Sequence, residues 1–332
     1  MTKSLAPLLL VCLFFNCALT GAQTPQALPD QPTEPVRENI ATAAGDTFSI
    51  ERPLNVSRRY EPIVQKLIDR GFPERWVRER FADRRTVFIP KLARVSPRKK
   101  STGNAEPSSA YRWVNTEESA RACRAFITTY RDVLDSASRR FGVEPEMIAA
   151  LMRTETQHGK ITGDYHVFSV FASTALLTQP DVLSDNITNG FATLKERNAD
   201  SAEMREQAQY IRARSKKKAD WAIDELASLL KIERDGRLDA MSIYGSWAGA
   251  FGWSQFLPSS YLRRAVDGNG DAKVDLFTPA DAIHSVANYL KAAGYVRGNN
   301  RRARKALFNY NNSTPYVTSI MGLAARVKRT QQ

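Results

Sequence analysis

From Tyr60 onward the apolar residues of this chain recur three and four positions apart and almost never alternate. A period near 3.6 lays residues along one face of a helix, whereas a period of two builds a strand. The chain is therefore expected to be mainly α. "IVQKLIDRGF" and, after Pro73, "ERWVRERFADR" read as two short helices joined at Gly71. Thr116, with Glu117 and Glu118 behind it, is placed to cap a long helix running to Phe141. Pro145 opens another helix, which Gly159 ends. Asn186 to Ile232 reads as two helices around "RSKKK", and Pro279–Ala293 and Ser313–Lys328 as two more. "PRKKSTGNAEPSS" and "GSWAGAFGWSQFLPSS" read as loops, and a small strand or two fits only near Val274. With 332 residues, 42% of them hydrophobic, the chain can bury a substantial core.

The first residues, "MTKSLAPLLLVCLFFNCALTGAQ", stand apart from that pattern. Lys3, the short apolar run Leu8 to Phe15 and the small residues ending at Ala22 have the layout of a secretory signal. The expected division is a signal over 1–22, a Pro-rich linker over 23–57, an N-terminal helical segment over 58–115 and a larger helical domain over 116–332. Phe14, Phe15 and Asn16 do not suit a lipoprotein cleavage site at Cys17, so the expected product is exported, periplasmic and without a lipid anchor. Removing Cys12 and Cys17 with the signal leaves Cys123 alone, so no internal disulfide is expected. The formal charge of +13 favours an acidic partner. For an exported protein that partner is a cell-envelope polyanion rather than nucleic acid. The runs Arg98 to Lys100, Lys216 to Lys218 and Arg301 to Lys305 read as solvated faces and loops.

One residue breaks the apolar pattern where it matters. Met147, Leu151 and Glu155 fall at i, i+4 and i+8, so a carboxyl continues a core-facing stripe at the end of its helix. Burial and the partial negative charge of a helix C-terminus both disfavour ionisation, which keeps a proton available as a general acid requires. The plainer alternatives are a pair with Arg153 or rotation into solvent. A second stretch, Tyr244 to Tyr261, sets Gly245, Gly249 and Gly252 among Trp247, Phe251 and Trp253. Aromatic faces suit sugar rings, and Ser246 and Gln255 can hydrogen-bond hydroxyls and amides. A tightly packed turn explains the same stretch without a ligand.

"MRTETQHG" followed by "GSWAGAFGWSQFLPSSYLRRAVDGNGDAKVDLFTPADAIHSVANYLKAAGY" resembles the membrane-bound lytic transglycosylase B family. "FNYNNSTPYV" and "IVQKLIDRGFPERWVRERF" are similar to that family's C-terminal signature and N-terminal helices. The resemblance implies a lysozyme-like helical catalytic domain with additional N-terminal helices. It also implies a lytic transglycosylase cleaving the β-1,4 bond between N-acetylmuramic acid and N-acetylglucosamine, giving 1,6-anhydro ends. Glu155 would be the catalytic acid and base, with Ser246, Gln255, Tyr289, Tyr310, Asn311 and Tyr316 around the sugar. No second acidic residue stands out beside the motif; Asp164 is the nearest. Lys218 and Trp221 would touch a distal sugar. The expected partner is the peptidoglycan glycan strand, met by a monomer peripheral to the envelope, and catalysis needs no cofactor.

"DGNGDAKVDLFTPAD" places Asp267, Asn269 and Asp271 at positions 1, 3 and 5, which is how a calcium loop of EF-hand type opens. Ala272 and Thr278 stand where that pattern wants Gly and Glu. In the resembling family the loop closes through a carbonyl at Lys273 and the carboxylate at Asp281, implying a structural Ca2+. A polar turn without an ion is the alternative. The sequence departs from the family at Gln157 and His158, carries extra helical sequence between Thr178 and Arg214, and is shorter after Tyr295. A water-using muramidase on the same fold, and a non-catalytic glycan-binding scaffold, remain the competing readings.

Overall fold

A computed structural model of the chain describes residues 54–97, 111–196 and 198–329. The signal-like segment, most of the expected linker, and residues 98–110, where a loop and the basic run Arg98 to Lys100 are expected, lie outside the described residues. Two helices, α1 (Glu61–Ile68) and α2 (Glu74–Ala82), form an N-terminal hairpin. Then follow α3 (Glu117–Thr129), α4 (Arg131–Phe141) and α5 (Pro145–Thr156). A two-residue strand β1 (Tyr165–His166) leads into α6 (Val167–Ala175), α7 (Pro180–Lys195) and the 34-residue α8 (Ser201–Arg234). Strand β2 (Tyr244–Gly245) precedes α9 (Pro258–Arg264), α10 (Pro279–Ala292), α11 (Asn300–Tyr310) and α12 (Thr314–Arg329). The mainly α expectation holds.

Two helices are buried along all or nearly all of their length, and they organise the rest. Every residue of α5 from Met147 to Thr156 is buried, packed by α3 and α12 with α4 and α10 beside it. All of α6 is buried against α8, which also carries α7 and α9. A helix with no polar face can only be a core helix. The α1–α2 hairpin docks on α8 through Arg70, which reaches the Ile223 carbonyl and Asp224, and through the Arg80–Glu233 pair at 2.9 Å. The antiparallel β1–β2 pair, Tyr165 opposite Gly245 and His166 opposite Tyr244, ties the α5 side to the α8 side.

The structure corrects the sequence reading at four places. The single helix expected from Thr116 to Phe141 breaks at Tyr130 (φ −113°, ψ 33°), because α3 packs on α5 whereas α4 packs chiefly on α10. "RSKKK" lies inside α8 rather than between helices. Ser215 and Ala219 continue its buried stripe while Lys216 and Lys217 face solvent, and lysine is a good helix former. The preceding break is instead at Asp200, whose side chain accepts the Glu203 N–H. The strand pair sits at β1 and β2, not near Val274. The basic run Arg301 to Lys305 is a solvated face, as expected, but it lies on a helix that the sequence reading left out, α11, capped by the Asn299 side chain, with Ala303, Ala306 and Leu307 buried.

Candidate active site

Glu155 occupies the last turn of α5, and its position follows from the stripe that it continues. The helix stops at the next residue, Thr156, because Gln157, His158 and Gly159 all take positive φ, at 52°, 61° and 82°. Such a left-handed exit closes a helix end. A Cβ on Gly159 would strike the Trp253 ring at about 2 Å, so the glycine lets the Gly/Trp loop lie directly on the helix end. The Thr156 hydroxyl donates to the Trp253 carbonyl (3.0 Å) and locks that contact.

Glu155 is buried, 6% exposed, and its Oε1 accepts one hydrogen bond, from the Tyr316 hydroxyl at 2.5 Å. Burial pushes its carboxyl up to about 8, and the tyrosine bond works in the opposite direction. Arg153, the alternative partner, turns away. Its Nε donates to Ser119 Oγ and its guanidinium lies over Trp113. Tyr316 is fully buried, edge-on to Tyr111, and burial beside Glu155 holds its phenol well above the ordinary range.

Tyr310 donates to the Ser254 carbonyl and stands edge-on to Tyr289, ring centroids 4.6 Å apart. Tyr289 in turn donates to the Asn309 carbonyl at 2.8 Å. Gln255, at positive φ (50°), points its amide N–H2 at the Thr162 and Gly252 carbonyls, 3.0 Å each. That fixes which end of the amide is left for a ligand: the oxygen. Asn311 is buried, and its side-chain amide meets no hydrogen-bond partner among the described residues. Gln255, Tyr289 and Tyr310 line one cavity of about 220 Å³, with Trp221, Phe256, Ser259, Arg263 and Asn309.

Not every expected residue faces the cavity. The Ser246 hydroxyl accepts the Ala250 N–H (3.1 Å) and braces the loop. Phe251, expected as a sugar platform, is wholly buried in the core because its backbone bridges to Phe256 inside the loop. Trp253 is half-buried, edge-on to Tyr130. Trp221 lines the cavity, whereas Lys218 reaches the Arg94 carbonyl instead. His158 stacks on Phe126 (4.2 Å, 6°) and bonds the Ala149 carbonyl; burial pushes it down to about 4, so it is a neutral packing residue. Cys123 is buried beside it, and burial pushes its thiol up to about 12.

The sequence reading missed a second buried acid. Asp164 is exposed, but Glu225 is 4% exposed and lines the cavity. Its Oε2 accepts the Ser259 N–H (2.9 Å) and its Oε1 the Ser259 hydroxyl (2.7 Å). Both oxygens thus tie α8 to the start of α9, and burial raises the carboxyl. The signal was present. Ala222, Glu225 and Leu229 fall at i, i+3 and i+7, again a carboxyl continuing an apolar stripe.

The Asp267–Asp281 loop is built from its own side chains. Asp267 accepts from the N–H groups of Asn269, Gly270 and Ala272, and Asn269 and Asp271 accept from Asp271 and Lys273. Asp281, buried at the start of α10, accepts from Gly268 (2.8 Å) and Asp275 (2.6 Å). The donors are hard oxygens of carboxylate, amide and carbonyl type, which suit calcium and not a thiol-loving metal. Among the described residues no cluster of three or more His, Cys, Asp or Glu side chains is arranged to hold a metal ion.

Comparison with known proteins sets this geometry in context. The family described as "Transglycosylase SLT domain" matches residues 56–305. Membrane-bound lytic murein transglycosylase B of Escherichia coli (strain K12) is 33% identical over 173 residues, which cover 52% of this chain but only 38% of the relative's length. Among solved structures, the Escherichia coli lytic transglycosylase Slt35 in complex with calcium superposes with a TM-score of 0.60 at 21% identity, covering 82% of this chain and 94% of that one. The catenated lytic transglycosylase SltB1 of Pseudomonas aeruginosa gives 0.62 at 20% identity, covering 83% and 99%. SltB3 of Pseudomonas aeruginosa, solved with NAG-NAM-pentapeptide, gives 0.60 at 19% identity, covering 81% and 78%. The fold is that of lysozyme-like lytic transglycosylases. Among the described residues no helix is long and apolar enough to cross a membrane.

Proposed function

The chain belongs to the Transglycosylase SLT domain family, and from that premise we propose that it is a peptidoglycan lytic transglycosylase cleaving the bond between N-acetylmuramic acid and N-acetylglucosamine to leave 1,6-anhydro ends. The observation that carries this reading is the isolation of Glu155: buried, raised to about 8 by that burial, and bonded among the described residues to Tyr316 alone. Such a group holds a proton near neutral pH and can give it to the glycosidic oxygen as the C1–O bond breaks. The substrate's own acetamide oxygen closes on C1 as the leaving sugar departs. The Glu155 carboxylate then takes the proton of the muramic 6-hydroxyl, whose oxygen displaces the acetamide and forms the anhydro ring. Glu155 ends the cycle protonated again.

Ordinary glycosidases place two carboxyl groups across the scissile bond. Here Glu225, the buried acid of the cavity wall, has both oxygens occupied by Ser259, and a carboxylate so engaged is not a free base for water. The unpartnered amide of Asn311 suits orientation of the acetamide, the free oxygen of Gln255 suits a sugar N–H or hydroxyl, and Tyr310 and Tyr289 wall the ring. The deciding experiment is mass spectrometry of digested glycan strands. Products lighter by one water than the hydrolytic ones are expected; hydrolysed reducing ends would favour a muramidase, and no cleavage at all would favour a glycan-binding scaffold.

We also propose that the Asp267–Asp281 loop holds a structural Ca2+ through side-chain oxygens of Asp267, Asn269, Asp271 and Asp281 and the Lys273 carbonyl. The ion would brace the turn between α9 and α10. A melting temperature that rises with calcium and falls with chelator is the expected result. The signal-like segment and the proposed cell-wall substrate together favour an exported, periplasmic protein.

A further inference from the structure

Nine of the chain's thirteen net positive charges fall in its last 51 residues, because 282–332 hold nine Lys or Arg and no Asp or Glu. Four of the nine, Arg301, Arg302, Arg304 and Lys305, stand in the first two turns of α11, and all four are exposed. No carboxylate occupies the first turn of that helix. A helix N-terminus carries partial positive charge, so cations placed there cost stability. Among the described residues none of the four lies within ion-pair distance of a carboxylate. Arg302 donates Nε–H to the Gly294 carbonyl (2.8 Å), which leaves its charge in place. The carboxylate that does touch this part of the chain, Glu144, accepts from the Tyr295 hydroxyl and the Gly298 N–H in the connection before α11.

The cluster is directional. α11 buries Ala303, Ala306, Leu307 and Tyr310 on one side. With 3.6 residues per turn, Arg301, Lys305 and Phe308 form a ridge on the opposite side, flanked by Arg302 and Arg304. Phe308 is 41% exposed, an aromatic ring held out among cations. Tyr310, which α11 contributes to the cavity wall, lies half a turn round the helix from Arg301. A glycan strand seated against Tyr310 is therefore on the far side of α11 from the ridge. The ridge fits a broad anionic surface that also accepts an apolar ring. A bilayer of anionic phospholipid has both, with phosphate charge at its face and hydrocarbon just beneath. A wall polymer offers the charge without the hydrocarbon. We propose that this face of α11 docks the protein on an anionic phospholipid surface. Arg301, Arg304 and Lys305 meet the headgroup phosphates, and Phe308 enters the acyl boundary. Docking of this kind does not depend on the cleavage chemistry.

The test is flotation of the full chain with phosphatidylglycerol–phosphatidylcholine vesicles and with vesicles of phosphatidylcholine alone, beside sedimentation with insoluble peptidoglycan. Stronger binding to the anionic vesicles, weakening with added salt, is expected of the wild type. A triple variant, Arg301→Gln with Arg304→Gln and Lys305→Gln, should bind them about a hundredfold more weakly, at roughly fivefold for each cation lost. Phe308→Ser should weaken binding about tenfold, and that loss should persist in high salt because burial of apolar surface is what it removes. All these side chains are exposed, so an unfolding midpoint near or above that of the wild type is expected. A control of equal charge loss, Arg212→Gln with Lys216→Gln and Lys217→Gln on α8, should bind nearly as the wild type does. Every variant keeps the same N-terminal residues, so differences among them report the ridge. A wild type that binds both kinds of vesicle equally overturns the proposal. So does a control that loses as much as the ridge variant, or a Phe308→Ser that loses nothing, since charge alone would then explain the attraction. Retention on peptidoglycan that falls in the ridge variant while vesicle binding holds overturns it in favour of a wall polymer.

Discussion

Two regions of this protein hold carboxylates and push them in opposite directions. At the end of α5, Glu155 is buried among aromatic and aliphatic side chains and receives one hydrogen bond, and burial raises its carboxyl to about 8. In the 267–281 loop, Asp267 is only partly buried and receives N–H groups from Asn269, Gly270 and Ala272, which hold it below the usual range. Removal from water disfavours a charge, and backbone donors aimed at it favour one. The first region keeps a proton to give away, while the second keeps a negative charge in place. The difference lies in burial and in the number of donors supplied, because the residue types are nearly the same.

Glu155→Gln breaks the first half of that comparison most severely. Cleavage of glycan strands should fall by roughly 10²–10⁴-fold, the range for loss of a positioned general acid and base. Near-native turnover would end the assignment. The same variant should be more stable above about pH 6. The folded-state pKa lies above the ordinary value of 4.5, so the native protein binds more protons than the unfolded chain between pH 4.5 and 8, and this group's contribution to stability declines as pH rises through that window. Glutamine removes the decline. A melting temperature higher than wild type at pH 7.5 but not at pH 4.5 is the expected pattern.

Tyr316→Phe sharpens the contrast by taking away the one donor that Glu155 has among the described residues. That bond favours the ionised form, so its loss should raise the carboxyl further and move the alkaline limb of the pH–rate profile upward. A fall in kcat of about tenfold at neutral pH is expected, within the range for a hydrogen bond to a charged group. If Tyr316 served only packing, kcat would change while the limb stayed where it was.

How much of this contrast was legible in the sequence depends on how local each signal is. The apolar period gave the helices, and the break in it gave Glu155, because both are properties of neighbouring positions along one face. The same break at Glu225 was passed over because no motif accompanied it. The role of Ser259 in occupying both Glu225 oxygens depends on α8 meeting α9, 34 positions apart in sequence. Phe251 looked like a sugar platform because the Gly-rich stretch was read by composition, whereas its burial is decided by the bridge to Phe256. The kink at Tyr130 was invisible for a similar reason. It is imposed by two different packing partners, and nothing in the local propensity demands it.

Asp281→Asn tests the loop itself. Both carboxylate oxygens accept backbone N–H groups in a buried position, and an amide can serve only one of them. The loss should be about 1–3 kcal/mol in denaturant unfolding, the cost of leaving a buried donor unmet. A calcium-dependent rise in melting temperature, if present in the wild type, should shrink in this variant. An unchanged midpoint would mean that the loop is held by its other Asx turns alone.

The smallest expected effect separates the two regions at the level of the backbone. Ala272 sits at φ 66°, in the left-handed region where a Cβ is unfavourable and where the EF-hand pattern has glycine. At the end of α5, Gln157 and His158 also take positive φ, but there the backbone bonds of the left-handed exit and the stacking of His158 on Phe126 hold them in place. Ala272 has only the Asp267 bond to its N–H, and its side chain is exposed. Ala272→Gly should therefore stabilise by a few tenths to about 1 kcal/mol, relief of the Cβ clash outweighing the added freedom of the unfolded chain. His158→Gly should destabilise, because removing the ring leaves a void against Phe126. Unfolding midpoints at fixed calcium measure both. A loss of stability in Ala272→Gly would mean that the loop is less strained than its backbone angle implies.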